Sequence, residues 1–248
     1  MQSQRVDLQR AIQAVQVRFG EQALVHAGRL PAPLPWPSGV AAVDRLSGIG
    51  GLPRGRVCVL SGGPSSGKLS LGLALLAQAT RDFAHAVVVD VMGSFDAWTL
   101  AALGAELEPL TVVRPPSLDA GGEAAVALAR AGAGFLLVLG NLPEPALAPL
   151  ESAAARSGCV LAVVAEAPDR ALAYASSLTF DLVRTSWIWE RHELVGLRAR
   201  VLCAKNKVAA PGGVIELEVG YPLGAIRPVA RVAELFPEEV LQFASAAV

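Results

Sequence analysis

The chain is short of lysine, cysteine, histidine and aromatic residues. Three lysines stand against eighteen arginines in 248 residues, and they fall in two short stretches, at position 68 and at positions 205 and 207. The cysteines, Cys58, Cys159 and Cys203, are odd in number and lie in apolar, strand-like runs. That argues against a disulfide framework and for buried free thiols in a cytosolic protein. His26, His85 and His192 have no ligand-like spacing, so no metal site is expected from them. Hydrophobic residues make up 53 % and mean hydropathy is +0.46. Even so, no run of about 18 uninterrupted apolar residues occurs, and no membrane span is expected. The first twenty residues are polar and lack the apolar stretch of a secretion signal.

The net charge of −1 argues against a dedicated polyanion binder. The charge is nevertheless uneven. Residues 1–60 carry seven arginines and three acids, whereas residues 61–180 carry six basic and eleven acidic residues. A basic cluster follows at Arg184, Arg191, Arg198, Arg200, Lys205 and Lys207, against Glu190 and Glu193. It reads either as the solvated face of a hairpin or as a surface, over 184–207, making weak contact with DNA or a partner.

The pattern of elements predicts an α/β fold. Leu8, Ile12, Val15 and Phe19 recur at helical spacing until Gly20. Residues 30–37 then supply a proline-rich connector that must be extended. A helix is expected over 40–46, a turn over 50–55, a buried strand over 56–61 and a Leu- and Ala-rich helix over 67–80. Strands are expected at 86–90, 110–113, 135–139 and 160–165, and helices at 99–103, 121–131 and 147–157. From Leu178 the apolar runs give way to alternation, predicting antiparallel strands across a polar turn at 190–193. A short helix is expected over 234–247. Continuous apolar strands alternating with helices predict a mostly parallel sheet covered on both faces, with an antiparallel C-terminal extension. The expected divisions are an N-terminal helix with its connector (1–37), a core (38–232) and a tail (233–248).

The chemistry concentrates at Gly62-Gly63-Pro64-Ser65-Ser66-Gly67-Lys68. A strand, then Gly-x4-Gly-Lys, then a helix is the context of a phosphate-binding loop. Its glycines let backbone N–H groups curl around an anion, and the helix N-terminus adds its dipole. The next position should carry a hydroxyl to hold Mg²⁺, but it is Leu69. Ser70 follows, turned about 100° away along a helix, and is a poor substitute. A carboxylate at the end of a later strand is also needed, yet the strand ending Leu139-Gly140-Asn141 has none. The phosphate cradle persists and the metal site does not. The bland alternative is that the loop is a scaffold turn.

Five stretches together resemble the bacterial RecA family over nearly the whole chain, without a counterpart of RecA's C-terminal domain. They are residues 11–20, Gly50-Gly51-Leu52-Pro53-Arg54-Gly55, the loop ending Ser65-Ser66-Gly67-Lys68, Tyr174-Ala175-Ser176, and Lys205-Asn206-Lys207-Val208-Ala209-Ala210-Pro211. The resemblance implies a RecA-like P-loop core. It also shows where this chain departs from the family. Met92 stands where RecA has a water-activating glutamate, Gly140 replaces the metal-site carboxylate, Leu69 replaces the loop threonine, and Glu166 replaces a phosphate-sensing glutamine. Phosphoryl transfer depends on positioning and charge neutralisation, so no ATPase activity is expected and no catalytic residue is assigned. Gly62, Gly63, Ser65, Ser66, Gly67, Lys68 and Ser70 remain as a degenerate cradle for weak ATP or ADP binding. Asp96 reads equally as an adenine contact and as a helix N-cap.

RecA's two DNA-binding loops correspond to short remnants here, at 141–145 and 167–170, so no RecA-style filament on single-stranded DNA is expected. The resemblance implies that the oligomerisation surfaces persist. These are Ile12, Val15 and Phe19 on the N-terminal helix, and Lys205, Asn206 and Lys207, whose lysines reach a neighbour's nucleotide in RecA. Within the family the chain looks most like ImuA. That likeness implies a bacterial cytoplasmic factor of the SOS response and translesion synthesis, with RecA, ImuB and an error-prone DnaE-type polymerase as partners. A divergent ATPase, and a structural bridge using Trp187 and Trp189, are the other readings.

Overall fold

A computed structural model describes residues 2–20, 33–221 and 226–228. The expected tail helix over 234–247, the boundary at 232/233 and the first residues of the proline-rich connector lie outside the described residues. Two compact units result, Met1–Ala32 and Pro33–Val248.

The smaller unit holds α1 (Gln2–Phe19), which the backbone N–H of Gly20 closes by donating to the Gln16 carbonyl at 2.8 Å. Gly20 takes φ +91°, the left-handed conformation that ends helices. Ile12, Val15 and Phe19 are exposed along α1.

In the larger unit the chain runs β1 (Pro35–Trp36), α2 (Ala41–Leu46), β2 (Leu52–Pro53), β3 (Val57–Ser61), α3 (Lys68–Asp82), β4 (Ala86–Asp90), α4 (Ala97–Ala102) and β5 (Leu110–Val113). It continues through α5 (Leu118–Arg130), β6 (Phe135–Leu139), α6 (Glu144–Ser157), β7 (Val160–Val164) and α7 (Arg170–Ala175). Four further strands complete it: β8 (Leu178–Glu190), β9 (Glu193–Asn206), β10 (Val214–Gly220) and β11 (Ile226–Pro228). One nine-stranded sheet has the order β11-β10-β9-β8-β3-β7-β6-β4-β5. Pairings from β8 through β5 are parallel, and those from β8 out to β11 are antiparallel.

Every residue of β3, β4, β6 and β7 is buried, which explains why these strands read as unbroken apolar runs. The two-residue period of a strand divides them between two cores. Cys58, Leu60, Val88, Leu137 and Ala162 join the core that includes α2 and α3. Val57, Val59, Val87, Val138 and Val163 join the core that includes α5, α6 and α7. Each fully buried Leu or Val contributes about 1.5–3 kcal/mol. The cysteines are free and buried, and burial raises the Cys159 thiol to about 12.

Three features were not legible beforehand. The first is Trp36, which falls in the expected connector: it is 2 % exposed, its indole N–H donates to Asp82 at 2.9 Å, and it lies against Phe83 and Phe135. The second is α7, which starts at the last residue of the 167–170 remnant where no helix was expected, with the Asp169 carboxylate capping it through the Leu172 N–H at 2.7 Å. The third is β10, whose alternating burial covers Ile215, Leu217 and Val219. Two helices begin three residues earlier than expected: Ser117 caps α5 through the Ala120 N–H, and α6 starts at Glu144 with proline in its first turn.

Candidate functional site

The glycine-rich loop leaves the buried carboxyl end of β3 and enters α3 at Lys68. Carboxyl ends of parallel strands are where open α/β sheets bind ligands. Gly62 has φ +145°, and a Cβ there would lie 2.2 Å from the Leu182 carbonyl oxygen, so no other residue fits. Ser65 and Gly67 also take positive φ, 56° and 89°. Gly67 is the N-cap of α3 and offers no side chain, so no side-chain oxygen caps the first N–H groups of this 15-residue helix. The Lys68 ammonium folds back onto the Gly63 carbonyl at 3.0 Å. The Ser66 hydroxyl is buried without a hydrogen-bond partner, a state that costs about 1–3 kcal/mol unless a ligand or water relieves it. The cradle therefore retains the backbone, the ammonium and an orphaned hydroxyl for an anionic group.

The metal side of the site does not fit a divalent cation. Leu69 is partly buried against the α2–α3 core, so its side chain is committed to packing. Met92 and Gly140 follow the carboxyl ends of the neighbouring strands β4 and β6. The Met92 Cγ lies 3.2 Å, and its sulfur 3.5 Å, from where a Gly140 Cβ would be. Of two positions expected to carry acids in a RecA ATPase, one thus holds a thioether and the other no side chain. Asp90 is buried, and both of its oxygens are used. Oδ1 accepts from the Ser94 N–H at 2.9 Å, Oδ2 accepts from the Phe95 N–H at 3.1 Å, and the Arg114 guanidinium stands 3.8 Å away. It staples its own loop. Ser70 is partly buried in the first turn of α3. No group of three or more potential metal-ligating side chains is found among the described residues.

Asp96 acts as the N-cap of α4: it accepts from the Trp98 N–H at 3.0 Å, the Thr99 N–H at 3.1 Å and the Thr99 hydroxyl at 2.6 Å. The Thr99 hydroxyl, then the two backbone N–H groups, hold its carboxyl below the usual range. The end of β7 is tied to the cradle, since the Gly62 N–H donates to the Glu166 carbonyl at 3.2 Å. Glu166 itself is exposed. Asn141 donates to the Ala167 carbonyl at 3.3 Å and so links the two shortened loops.

The Lys-Asn-Lys stretch closes β9, and strand alternation sends its side chains to opposite faces. The Lys205 ammonium donates to the carbonyls of Ala173 and Tyr174 at the C-terminus of α7. Lys207 donates to the same Tyr174 carbonyl at 2.8 Å, with its Nζ 5.4 Å from the centre of the Tyr174 ring. Burial, then the charge of Lys207, lowers the Lys205 pKa. Asn206, expected at an interface, makes internal hydrogen bonds. Its amide donates to the Ser47 carbonyl at 2.9 Å, and its oxygen accepts from the N–H groups of Val208 and Ala209.

The basic cluster is partly neutralised by a strand the sequence reading did not define. In the β9–β10 register Arg198 lies opposite Glu218, and Arg200 lies opposite Glu216. Arg198 and Glu218 form an ion pair at 2.8 Å. Trp187 and Trp189 are both exposed, neither being core, and the Arg184 guanidinium lies 4.0 Å from the Trp187 ring centre.

The model of the RecA N-terminal domain matches residues 6–153. This chain belongs to the RecA family. It is 29 % identical to the RecA protein of Thermus thermophilus, over 92 % of this chain and 79 % of that one. It is also 29 % identical to RecA of Chlorobaculum tepidum, over 86 % and 74 %, and 28 % identical to RecA of Brucella anthropi, over 88 % and 72 %. A crystal structure of the RadB recombinase superposes with a TM-score of 0.61 at 14 % identity, covering 77 % of this chain and 98 % of that one. The RecA-like α/β fold, with a mostly parallel sheet and antiparallel C-terminal strands, agrees with expectation. No described helix is long and apolar enough to cross a membrane.

Proposed function

We propose that this RecA-family protein is a non-catalytic accessory factor in DNA repair. It binds RecA and caps or inhibits its filament, so that mutagenic bypass prevails over recombination, as in the ImuA branch of the family. The observation that carries this reading is the lack of an acid at Met92 and Gly140 beside a cradle whose Leu69 packs against the core. Without an acid or hydroxyl at these places there is nothing to hold Mg²⁺ or to orient an attacking water. ATP or ADP then binds weakly to Gly62–Lys68 and is not turned over. Ser66 and Lys68 hold phosphate oxygens, and a bound nucleotide supplies negative charge for them to neutralise.

A head-to-tail assembly grows only if each added subunit presents both of its surfaces. A subunit that docks through one and cannot complete the next ends the growth. Ile12, Val15 and Phe19 on α1, with Lys205 and Lys207, are the contact groups this reading uses; Asn206 supports their strand from within. ImuB and an error-prone DnaE-type polymerase are the further partners in the bacterial cytoplasm. The test is single-strand-dependent ATP hydrolysis and strand exchange by RecA, titrated with this protein. Capping predicts inhibition well below one copy per RecA, lost on deletion of residues 1–32. No effect at excess would sink the reading.

A second reading, a structural bridge in a complex of ImuB with that polymerase, is favoured by the exposure of Trp187 and Trp189. It predicts co-purification of a three-protein complex that survives α1 deletion.

A further inference from the structure

The sheet has an open edge in its interior. Strand β8 pairs with β3 only from Leu178 to Asp181, where Cys58–Ser61 run beside it. At Gly62 the β3 chain turns away into the phosphate loop. From Val183 to Glu190 the partner of β8 is β9 alone, and among the described residues no backbone hydrogen bond reaches this stretch from the other side. An extended stretch of eight residues spans about 26 Å. Away from the register shifts between Arg184 and Ser186 and between Ile188 and Trp189, N–H and C=O groups along it face away from β9 with no ladder partner. Proteins usually guard such edges with lysine, proline or β-bulges, or cover them. This stretch contains neither lysine nor proline, and its two register shifts leave the rest of the edge open.

The side chains add a second, independent observation. Trp187 and Trp189 are two residues apart on one strand, hence on one face. They are 37 % and 60 % exposed, and Leu194, opposite Trp189, is 39 % exposed. Arg184 stacks on Trp187, and among the described residues no carboxylate lies within 4.0 Å of it. Tryptophan and arginine are the side chains that anchor protein interfaces, while isolated arginines of this kind are matched by acidic partners.

We infer that the free edge of β8, residues 183–190, is a strand-addition site for an extended segment of a partner protein. That segment carries apolar residues together with an acidic residue on the one face it turns to Trp187, where Arg184 stacks. Its backbone completes the ladder of β8, its apolar side chains cover Trp187 and Trp189, and an acidic side chain meets Arg184. Nucleic acid is the lesser match, because Glu190 and Glu193 flank the tryptophans at the hairpin tip. The inference does not depend on RecA binding, which uses α1 and the Lys205–Lys207 end of the hairpin.

The test uses the full chain and three acetylated nine-residue peptides with serine on one face: one with Val and Glu together on the other face, one with Val and Lys there, and the Val–Glu peptide with a central proline. Tryptophan fluorescence reports binding, and amide hydrogen exchange reports the ladder. The Val–Glu peptide should bind saturably and slow exchange within 183–190. The proline and Val–Lys peptides should bind about tenfold more weakly or worse. Replacing both tryptophans (W187S with W189S) should weaken binding by about tenfold or more, and Arg184→Gln by about threefold. Circular dichroism checks the fold of each variant, and the wild-type exchange pattern decides the matter even if one fails to fold. Equal binding of all three peptides, a fluorescence change without slowed exchange, tighter binding of a nine-residue oligothymidylate, or self-association through this edge would each overturn the proposal.

Discussion

The turn after β3 and the turns after β4 and β6 occupy the same end of the same sheet, yet they have kept different things. The β3 turn retains its backbone: positive φ at Gly62, Ser65 and Gly67, and a lysine laid across the loop. The β4 and β6 turns carry no acid at the two positions where one was expected, Met92 and Gly140. Backbone geometry is enforced by packing. Gly62 sits against the Leu182 carbonyl, and a Cβ on Gly67 would lie 3.4 Å from side-chain atoms of both Leu197 and Val219. A catalytic carboxylate is enforced only by catalysis, so it disappears without cost to the fold. A preserved loop shape is therefore weak testimony for a preserved reaction.

The strongest way to break this comparison is to disturb the loop's packing. Gly62→Ala would force a Cβ to within 2.2 Å of a backbone oxygen, in a conformation that side chains avoid. It should destabilise the protein by about 3 kcal/mol or more, or abolish soluble expression. Urea denaturation checks it. Unaltered stability would mean that the loop is not held by its neighbours. Next in size is Asp90→Ala, which strips the acceptor from two backbone N–H groups, one of them buried. A loss of about 2–3 kcal/mol is expected, with no change in any nucleotide affinity. If nucleotide binding fell instead, Asp90 would belong to the site and not to its loop.

The opposite manipulation sharpens the comparison. Met92 is 66 % exposed, so Met92→Glu should change stability by less than about 0.5 kcal/mol. Combined with Leu69→Thr, it restores two expected groups. ATP hydrolysis should stay at the buffer background in the wild type and in this double variant, because Gly140 still supplies no metal ligand. A steady rate in the wild type that Lys68→Ala removes would establish the divergent-ATPase reading instead.

Much of the sheet was legible because burial on both faces leaves a plain mark: Val57–Leu60 and Phe135–Leu139 have no polar residue to confuse with anything else. The loop was legible for a related reason, since its glycines are required by local backbone geometry. The rest was hidden by distance or brevity. Six residues of α7 are too few to show a helical period, and besides the core packing of Leu172 and Ala175 they are held by two lysines 31 to 33 residues away. Trp36 looked like part of a linker because its partners, Asp82, Phe83 and Phe135, are all remote in sequence. The pairing of Arg198 and Arg200 with Glu218 and Glu216 did carry a signal, the alternation of Ile215, Leu217 and Val219. It was readable once the strand was allowed to continue past Gly213.

The smallest effect concerns Asp96, whose two roles the sequence left equal. Its carboxyl is held below the usual range by the Thr99 hydroxyl and the N–H groups of Trp98 and Thr99. A depressed folded-state value means that the folded protein binds fewer protons than the unfolded chain across that window. The cap's contribution is then fully present above the unfolded value of about 3.9 and fades as pH falls through the folded one. The group is fully exposed, so solvent screening keeps the effect small. Thermal unfolding between pH 7 and pH 3 should show a slightly shallower acid decline in Asp96→Asn, because asparagine keeps the cap and cannot titrate. At pH 7, Asp96→Asn should leave nucleotide affinity unchanged, while Asp96→Ala should lower only the thermal midpoint. A loss of nucleotide binding with either variant at an unchanged midpoint would give Asp96 back to the base-binding role.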